Sequence, residues 1–332
     1  MTQFVRTTYL EIGFEEAGTS DRPVAVLLHG WPDDVHCWDG VLPSLTDRYR
    51  LLMPHLRGHG ATTFREKETP RSGQTAALAH DLLEFVRGLD LAEVLLVGHD
   101  WGARAGYAAA AVEPGLFRGL VAMSAGYAST DPDQPIGYEL AQAYWYQWFV
   151  ATQIGRRAFE EDRRGICRYL WRTWSPTWDF DGDEFDEAAE AWDNSDFAEV
   201  TANAYLQRWG EQPGSVEYDE LDKQLAEQPE IAVPTMVLHG EQDRGGCRRP
   251  PRTRSGTSPP GTSDGCCPAS GTSSRARLRR TPRPRSATTT AVSEYVAATL
   301  RQPDRLTRRL AVWQGFETTG WKIHYHQGTV VA

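Results

Sequence analysis

Gly98-His99-Asp100-Trp101-Gly102 places one carboxylate between two glycines, where an apolar run (residues 94–97, VLLV) meets a small-residue stretch that reads as a helix. A strand, a sharp turn and a helix in that order make a nucleophile elbow, in which small residues let a strained turn lift one side chain above a sheet. With Asp in the raised position, the chemistry is attack of a carboxylate oxygen on an electrophilic carbon, leaving an ester on the enzyme. The same residues also fit an ordinary strand-to-helix turn whose Asp caps the helix. A lone Gly-x-Asp-x-Gly does not separate these readings, so the elements around it must decide.

Those elements are the ones such a site needs. Residues 9–17 alternate polar and apolar, which predicts an early antiparallel strand. Residues 23–28 (PVAVLL) are apolar throughout, as expected of a strand covered on both faces, and they run into His29-Gly30-Trp31-Pro32-Asp33-Asp34. A Gly-Pro loop at the carboxyl end of a buried strand is where α/β sheets place their ligand sites. A strand at 50–53, a helix at 75–89 and a buried strand at 119–125 follow. From 135 to about 228 the pattern turns helical, aromatic and acidic, and residues 231–240 (IAVPTMVLHG) return to the buried-strand pattern before Glu241-Gln242-Asp243. Strands alternating with helices predict a mostly parallel sheet flanked by helices, here with a helical insertion. The expected division is 1–134 core, 135–230 helical cap, 231–243 core resumed, 244–290 a segment of foreign composition, and 291–332 a helix and an unplaced tail.

Composition narrows the function. The chain has 332 residues, 40% hydrophobic and 24% charged, the balance of a globular protein. Its net charge of −10 argues against nucleic acid or an anionic membrane as partner. No apolar run approaches the ~20 residues of a membrane helix, and the first residues lack the basic-then-apolar pattern of a signal peptide. The five Cys show no metal spacing, which points to reduced thiols in the cytoplasm.

Four segments in order, HGWPDD at 29–34, PHLRGHGATTF at 54–64, GHDWGARAGYAAAAVEP at 98–114 and VPTMVLHGEQD at 233–243, resemble the α/β-hydrolase superfamily in its epoxide hydrolase and haloalkane dehalogenase branch. With the helical insertion, the likeness spans roughly residues 5–243. The resemblance implies an α/β-hydrolase fold with a helical cap, no cofactor, no metal, and a small apolar substrate. It makes Asp100 the nucleophile and Asp243 the acid that orients a catalytic His. The backbone N–H groups of Trp31 and Trp101 would form the oxyanion hole. Cap tyrosines would hydrogen-bond the epoxide oxygen, with Tyr144, Tyr146, Tyr169 and Tyr205 as candidates and Tyr144 or Tyr146 with Tyr205 favoured, although for any single one of them cap packing is the stronger reading. Trp31 stands where haloalkane dehalogenases carry an Asn halide donor, which favours epoxides over halides. His29 and His99 read as structural histidines of their motifs, and Arg57 as a residue that fixes its own loop.

The catalytic His itself has no counterpart. Of nine His, none lies between His239 and His324, and the setting of His324 and His326 does not match the family's Gly-x-Gly-His. Residues 244–285 instead hold 11 Arg, one acid (Asp264) and one large aliphatic residue (Leu278), too little apolar surface to order such a segment. A basic insertion, a degenerate relative and a reading-frame shift all fit, and the frame shift is favoured. Residues 268–274 (PASGTSS) can be encoded CCG GCG TCG GGC ACT TCC TCC, which reads from its third base as Gly-Val-Gly-His-Phe-Leu. Two functions from different classes remain open: an epoxide-type hydrolase, and an inactive binder on the same scaffold.

Overall fold

The computed structural model describes residues 1–127, 136–175, 180 and 182–238, and the backbone of strands at 312–316, 320–326 and 329–330. The strands are β1 (Gln3–Arg6), β2 (Leu10–Ala17), β3 (Val24–Leu28), β4 (Arg50–Pro54), β5 (Thr63–Phe64), β6 (Val94–His99), β7 (Phe117–Met123) and β8 (Thr235–Leu238). They form one sheet in the order β1-β2-β4-β3-β6-β7-β8, with β5 paired to β2. β1, β2 and β5 pair antiparallel, while β4-β3-β6-β7-β8 are parallel throughout. The sheet is therefore mixed and mostly parallel, as the sequence pattern predicts.

The two faces of the sheet explain the unbroken apolar runs. Along β6, Leu96 belongs to the cluster that includes Phe85, Trp101 and Tyr107, while Leu95 and Val97 join Leu27, Trp38 and Leu51 on the other face. A parallel strand with helices on both sides has no solvent face, so alternation disappears. Helices α1 (Leu42–Leu45), α2 (Thr75–Gly88) and α3 (Trp101–Val112) supply part of that cover. Gly106 of α3 brings the helix close to the sheet, since an added Cβ would sit 3.0 Å from Leu120 Cδ1.

Between β7 and β8 run α4 (Tyr138–Ala143), α5 (Trp145–Ala151), α6 (Gln153–Glu161), α7 (Arg163–Trp174), α8 (Gly182–Glu190), α9 (Phe197–Arg208) and α10 (Asp219–Ala226). The last of these departs from the expected insertion. Tyr218, Leu221 and Leu225 pack on Ala76 and Ala77 of α2, so α10 covers the core helices and not the elbow. Ser215 N–H donates to Gln74 Oε1 at 2.7 Å, and Gln74 Nε2 donates to Asp222.

Asp222 yields a pH prediction. Burial pushes its carboxyl up to about 6, with the Asp219 charge adding and the Gln74 hydrogen bond opposing. A raised carboxyl favours the folded state fully below its unfolded value of 3.8 and loses that contribution as pH rises through about 6. Two units correspond to ~3 kcal/mol, which partial exposure reduces to about 1 kcal/mol. Asp222→Asn keeps an acceptor for Gln74 and is expected to be about 1 kcal/mol more stable than the parent at pH 8, and equal to it near pH 4. Urea titrations at the two pH values check this, and an equal difference at both would refute it.

The stretch left unplaced by sequence contains β9 (Val312–Phe316), β10 (Gly320–His326) and β11 (Thr329–Val330), an antiparallel three-stranded sheet of its own. Residues 239–311 lie outside the described residues, and with them Asp243, the 244–290 segment and the helix expected from 291.

Candidate active site

Asp100 occupies the single-residue link between β6 and α3 with φ 47° and ψ −109°. A non-glycine residue at positive φ is strained and persists only where its surroundings over-determine it. Here they do. Asp100 N–H donates to Met123 O at 3.0 Å and Gly102 N–H donates to His29 O at 3.0 Å, which ties the turn to its neighbouring strand ends. An added Cβ on Gly102 would collide with the Leu28 carbonyl, one on Gly98 with the backbone of residues 102 and 103, and one on Gly30 with Asp100 Cβ at 2.6 Å. Three glycines thus allow two strand ends and a helix to meet beneath one carboxylate.

That carboxylate is partly engaged. Trp31 N–H donates to Asp100 Oδ1 at 3.1 Å. The Trp101 amide opens α3, where the first N–H groups of any helix lack intrahelical acceptors. Of the two expected oxyanion-hole amides, that of Trp31 lies in the loop after β3 and that of Trp101 is the first of α3.

The insertion meets the elbow through aromatic rings. Trp31 stacks on Tyr146 of α5 (5.5 Å between centroids, 5° between planes) and meets Tyr205 of α9 edge-on at 5.5 Å. Its indole N–H donates to Thr201 Oγ1 of α9 at 3.0 Å, which fixes the ring. Tyr146 and Tyr205 pack edge-to-face at 5.7 Å, with Trp174 at 4.9 Å from Tyr146. Burial, with the nearby Asp100 charge adding, raises the Tyr146 hydroxyl. Burial, then Tyr146 and Asp100, raises that of Tyr205. Both phenols are thereby held protonated.

The other candidates are placed differently. Among the described residues the buried Tyr144 hydroxyl has no hydrogen-bond partner, and its ring lies under the Arg208 guanidinium at 5.0 Å. Tyr169 is 58% exposed and packs on Trp145 at the outside of the insertion, so it does not reach the elbow. The buried face of α7 is instead Cys167, Leu170, Trp171 and Trp174, at helical spacing. Asp243 is outside the described residues, although β8 ends at Leu238, five residues before it.

The motif histidines and Arg57 build the scaffold. His29 Nε2 accepts from Leu56 N–H at 3.0 Å while its Nδ1 faces Gly30 O at 3.0 Å, which fixes the tautomer with the proton on Nδ1. Burial drives its pKa well down, and that of His59 to about 4, so both rings stay neutral. His99 Nδ1 lies 3.8 Å from Asp33 Oδ2. Arg57 grips Asp81 with two bonds of 2.6 and 2.7 Å and also donates to Ser72 O and Tyr218 Oη, joining its loop to α2 and to the turn before α10.

Three residues of the site escape a reading of the sequence. Thr201 holds Trp31, Gln147 Nε2 donates to Tyr146 Oη at 2.8 Å, and the Arg104 guanidinium is close enough to Asp100, Tyr144 and Tyr146 to interact electrostatically with all three. Arg104 had a usable signal, because four residues after Asp100 is one helical turn. Gln147 and Thr201 had none.

A mostly parallel sheet whose central strand ends in a strained Asp elbow, facing an amide from the neighbouring loop, is the framework of an α/β hydrolase. The chain belongs to the alpha/beta hydrolase fold family, whose model matches residues 23–245, and it is a hydrolase. A crystal structure of a candidate epoxide hydrolase from Klebsiella pneumoniae is 34% identical, with a TM-score of 0.71, over 73% of this chain and 82% of that one. The AB hydrolase superfamily protein YfhM of Bacillus subtilis is 26% identical over 73% of this chain and 81% of its own length. Epoxide hydrolase B of Mycobacterium tuberculosis is 28% identical, but over only 43% of this chain and 44% of that protein. Among the described residues, no helix is long and apolar enough to cross a membrane.

Proposed function

We propose that this hydrolase opens a small apolar epoxide by forming an ester on Asp100, and that the ester persists because the chain offers no identifiable catalytic His. The observation that carries this reading is the Asp100 carboxylate, with Oδ1 held by the Trp31 amide and the Trp31 ring packed against two phenols, Tyr146 and Tyr205. Oδ2 is then the attacking atom. The Oδ2–carbon bond forms, the carbon–oxygen bond of the ring breaks, and the departing oxygen takes a proton from Tyr146 or Tyr205. An epoxide oxygen is a poor leaving group without such a donor, and no cofactor or metal enters the balance. Oδ1 becomes the ester carbonyl oxygen, and the Trp31 and Trp101 amides would stabilise the charge it acquires when water attacks.

Helices α4–α9 act as a cap whose aromatic underside excludes water and favours an apolar ligand. Asp243 belongs to the second half-reaction, where it would orient the missing base. A reducing cytoplasmic setting suits the buried thiols of Cys37 and Cys167. The names of the Klebsiella and Mycobacterium relatives fit an epoxide, that of a 30% identical fluoroacetate dehalogenase from Burkholderia fits a halide, and Trp31 in the halide-donor slot favours the epoxide.

The test is intact-protein and peptide mass spectrometry after acid quench of the protein mixed with an aryl epoxide. The expected result is one adduct per chain, on the peptide carrying Asp100, that accumulates and decays slowly. Rapid multiple turnover without an adduct would overturn the impaired-hydrolysis reading. An adduct from a haloalkane but from no epoxide would reassign the substrate.

A further inference from the structure

We propose that Gln147 is a positioning residue that aims the Tyr146 hydroxyl proton at the substrate oxygen. The inference rests on the Asp100–epoxide reading above and deepens it by assigning what orients the proton donor.

Gln147 is 1% exposed and stands between two groups of fixed character. Trp209 Nε1 donates to Gln147 Oε1 at 3.1 Å, and Gln147 Nε2 donates to Tyr146 Oη at 2.8 Å. An indole N–H can only donate. The amide carbonyl must therefore face Trp209, and the amide NH2 must face Tyr146. Trp209 is itself held by Trp148, with ring centroids 4.8 Å apart. The orientation that is usually ambiguous for a glutamine side chain is thus decided by its neighbour.

The consequence falls on Tyr146. A phenol has one proton, and its oxygen here accepts from Gln147, so that proton must go to another acceptor. Among the described residues no acceptor takes it. The ring cannot swing to find one, being stacked on Trp31 and packed against Trp174 and Tyr205. The donor remains for a ligand oxygen bound beside Trp31, whose ring stacks on Tyr146 and whose amide holds Asp100 Oδ1. The same amide N–H stabilises negative charge that develops on Oη as the proton leaves, and chained hydrogen bonds strengthen one another. Gln147 also works against the rise that burial imposes on the Tyr146 hydroxyl.

The experiment is single-turnover alkylation of Asp100 by an aryl epoxide between pH 5 and 9, read as adduct by mass spectrometry. Gln147→Glu is the informative variant because it preserves shape and reverses polarity. Its carboxylate accepts from both Trp209 and Tyr146, so the phenol proton is drawn away from the substrate. Alkylation at pH 8 is expected to slow by about 10²-fold, and to recover as pH falls and the new carboxyl regains a proton. Gln147→Glu added to Tyr146→Phe is expected to cost nothing beyond Tyr146→Phe alone. A packing role would give neither the pH recovery nor that non-additivity.

Trp209→Phe, which frees the amide to flip, should slow alkylation several-fold and gives an independent reading if Gln147→Glu does not fold. Wild-type rates at all pH values in either folded variant would overturn the proposal. Absence of any adduct in the parent chain would instead overturn the Asp100–epoxide reading on which it stands.

Discussion

Asp100→Asn is expected to abolish covalent capture of an epoxide, by about 10⁴-fold or more, in a protein that still folds. The substitution removes little except the nucleophile. Asparagine tolerates positive φ about as well as aspartate does, so the φ of 47° can be kept. Its amide oxygen can still accept from the Trp31 N–H that now reaches Oδ1. What disappears is the second carboxylate oxygen and its charge, the anionic nucleophile assigned to attack the epoxide carbon. Adduct yield after acid quench measures the loss, and a thermal melt checks the fold. If adduct formed at the parent rate, the nucleophile would lie elsewhere and the strained elbow would need another explanation.

The elbow was legible in the sequence because its close backbone approaches dictate residue type. Only glycine fits at 98 and 102, since a Cβ at either would enter neighbouring backbone. The buried strands were legible for a similar reason, as runs such as 23–28 and 94–97 have no solvent face to pattern. The edge was harder to read. β1 is largely exposed and β5 has only two residues, so neither carries a periodic signal.

The identity of the phenols was legible in part. Tyr169 falls outside the 167-170-171-174 stripe of α7, and helical period alone would have placed it outward. Tyr144 and Tyr146 are two positions apart and both are buried. Which of them meets Trp31 depends on how α5 docks, a tertiary fact with no local trace. Gln147 was illegible for the same reason: its partner Trp209 is 62 residues away. The sequence shows which residues could do chemistry, and the packing shows which of them share a wall.

Restoring the histidine is the second large effect. Re-encoding the segment from about codon 246 to codon 291 in the shifted frame, with Gly-Val-Gly-His-Phe-Leu in place of residues 268–274, should convert a single-turnover protein into a catalyst. The first half-reaction needs only Asp100, the phenols and the oxyanion amides, so the alkylation rate should barely change. The second half-reaction needs a base to take a proton from water as it attacks the ester, with Asp243 to orient that base. General base catalysis is typically worth about 10²–10⁴-fold, and this factor should appear entirely in ester decay. Single-turnover kinetics separate the two halves: the rate constant of ester formation should hold while that of ester decay rises. A long-lived ester in the re-encoded chain would show that the frame shift does not supply the base, leaving a protein that captures an epoxide once and keeps it.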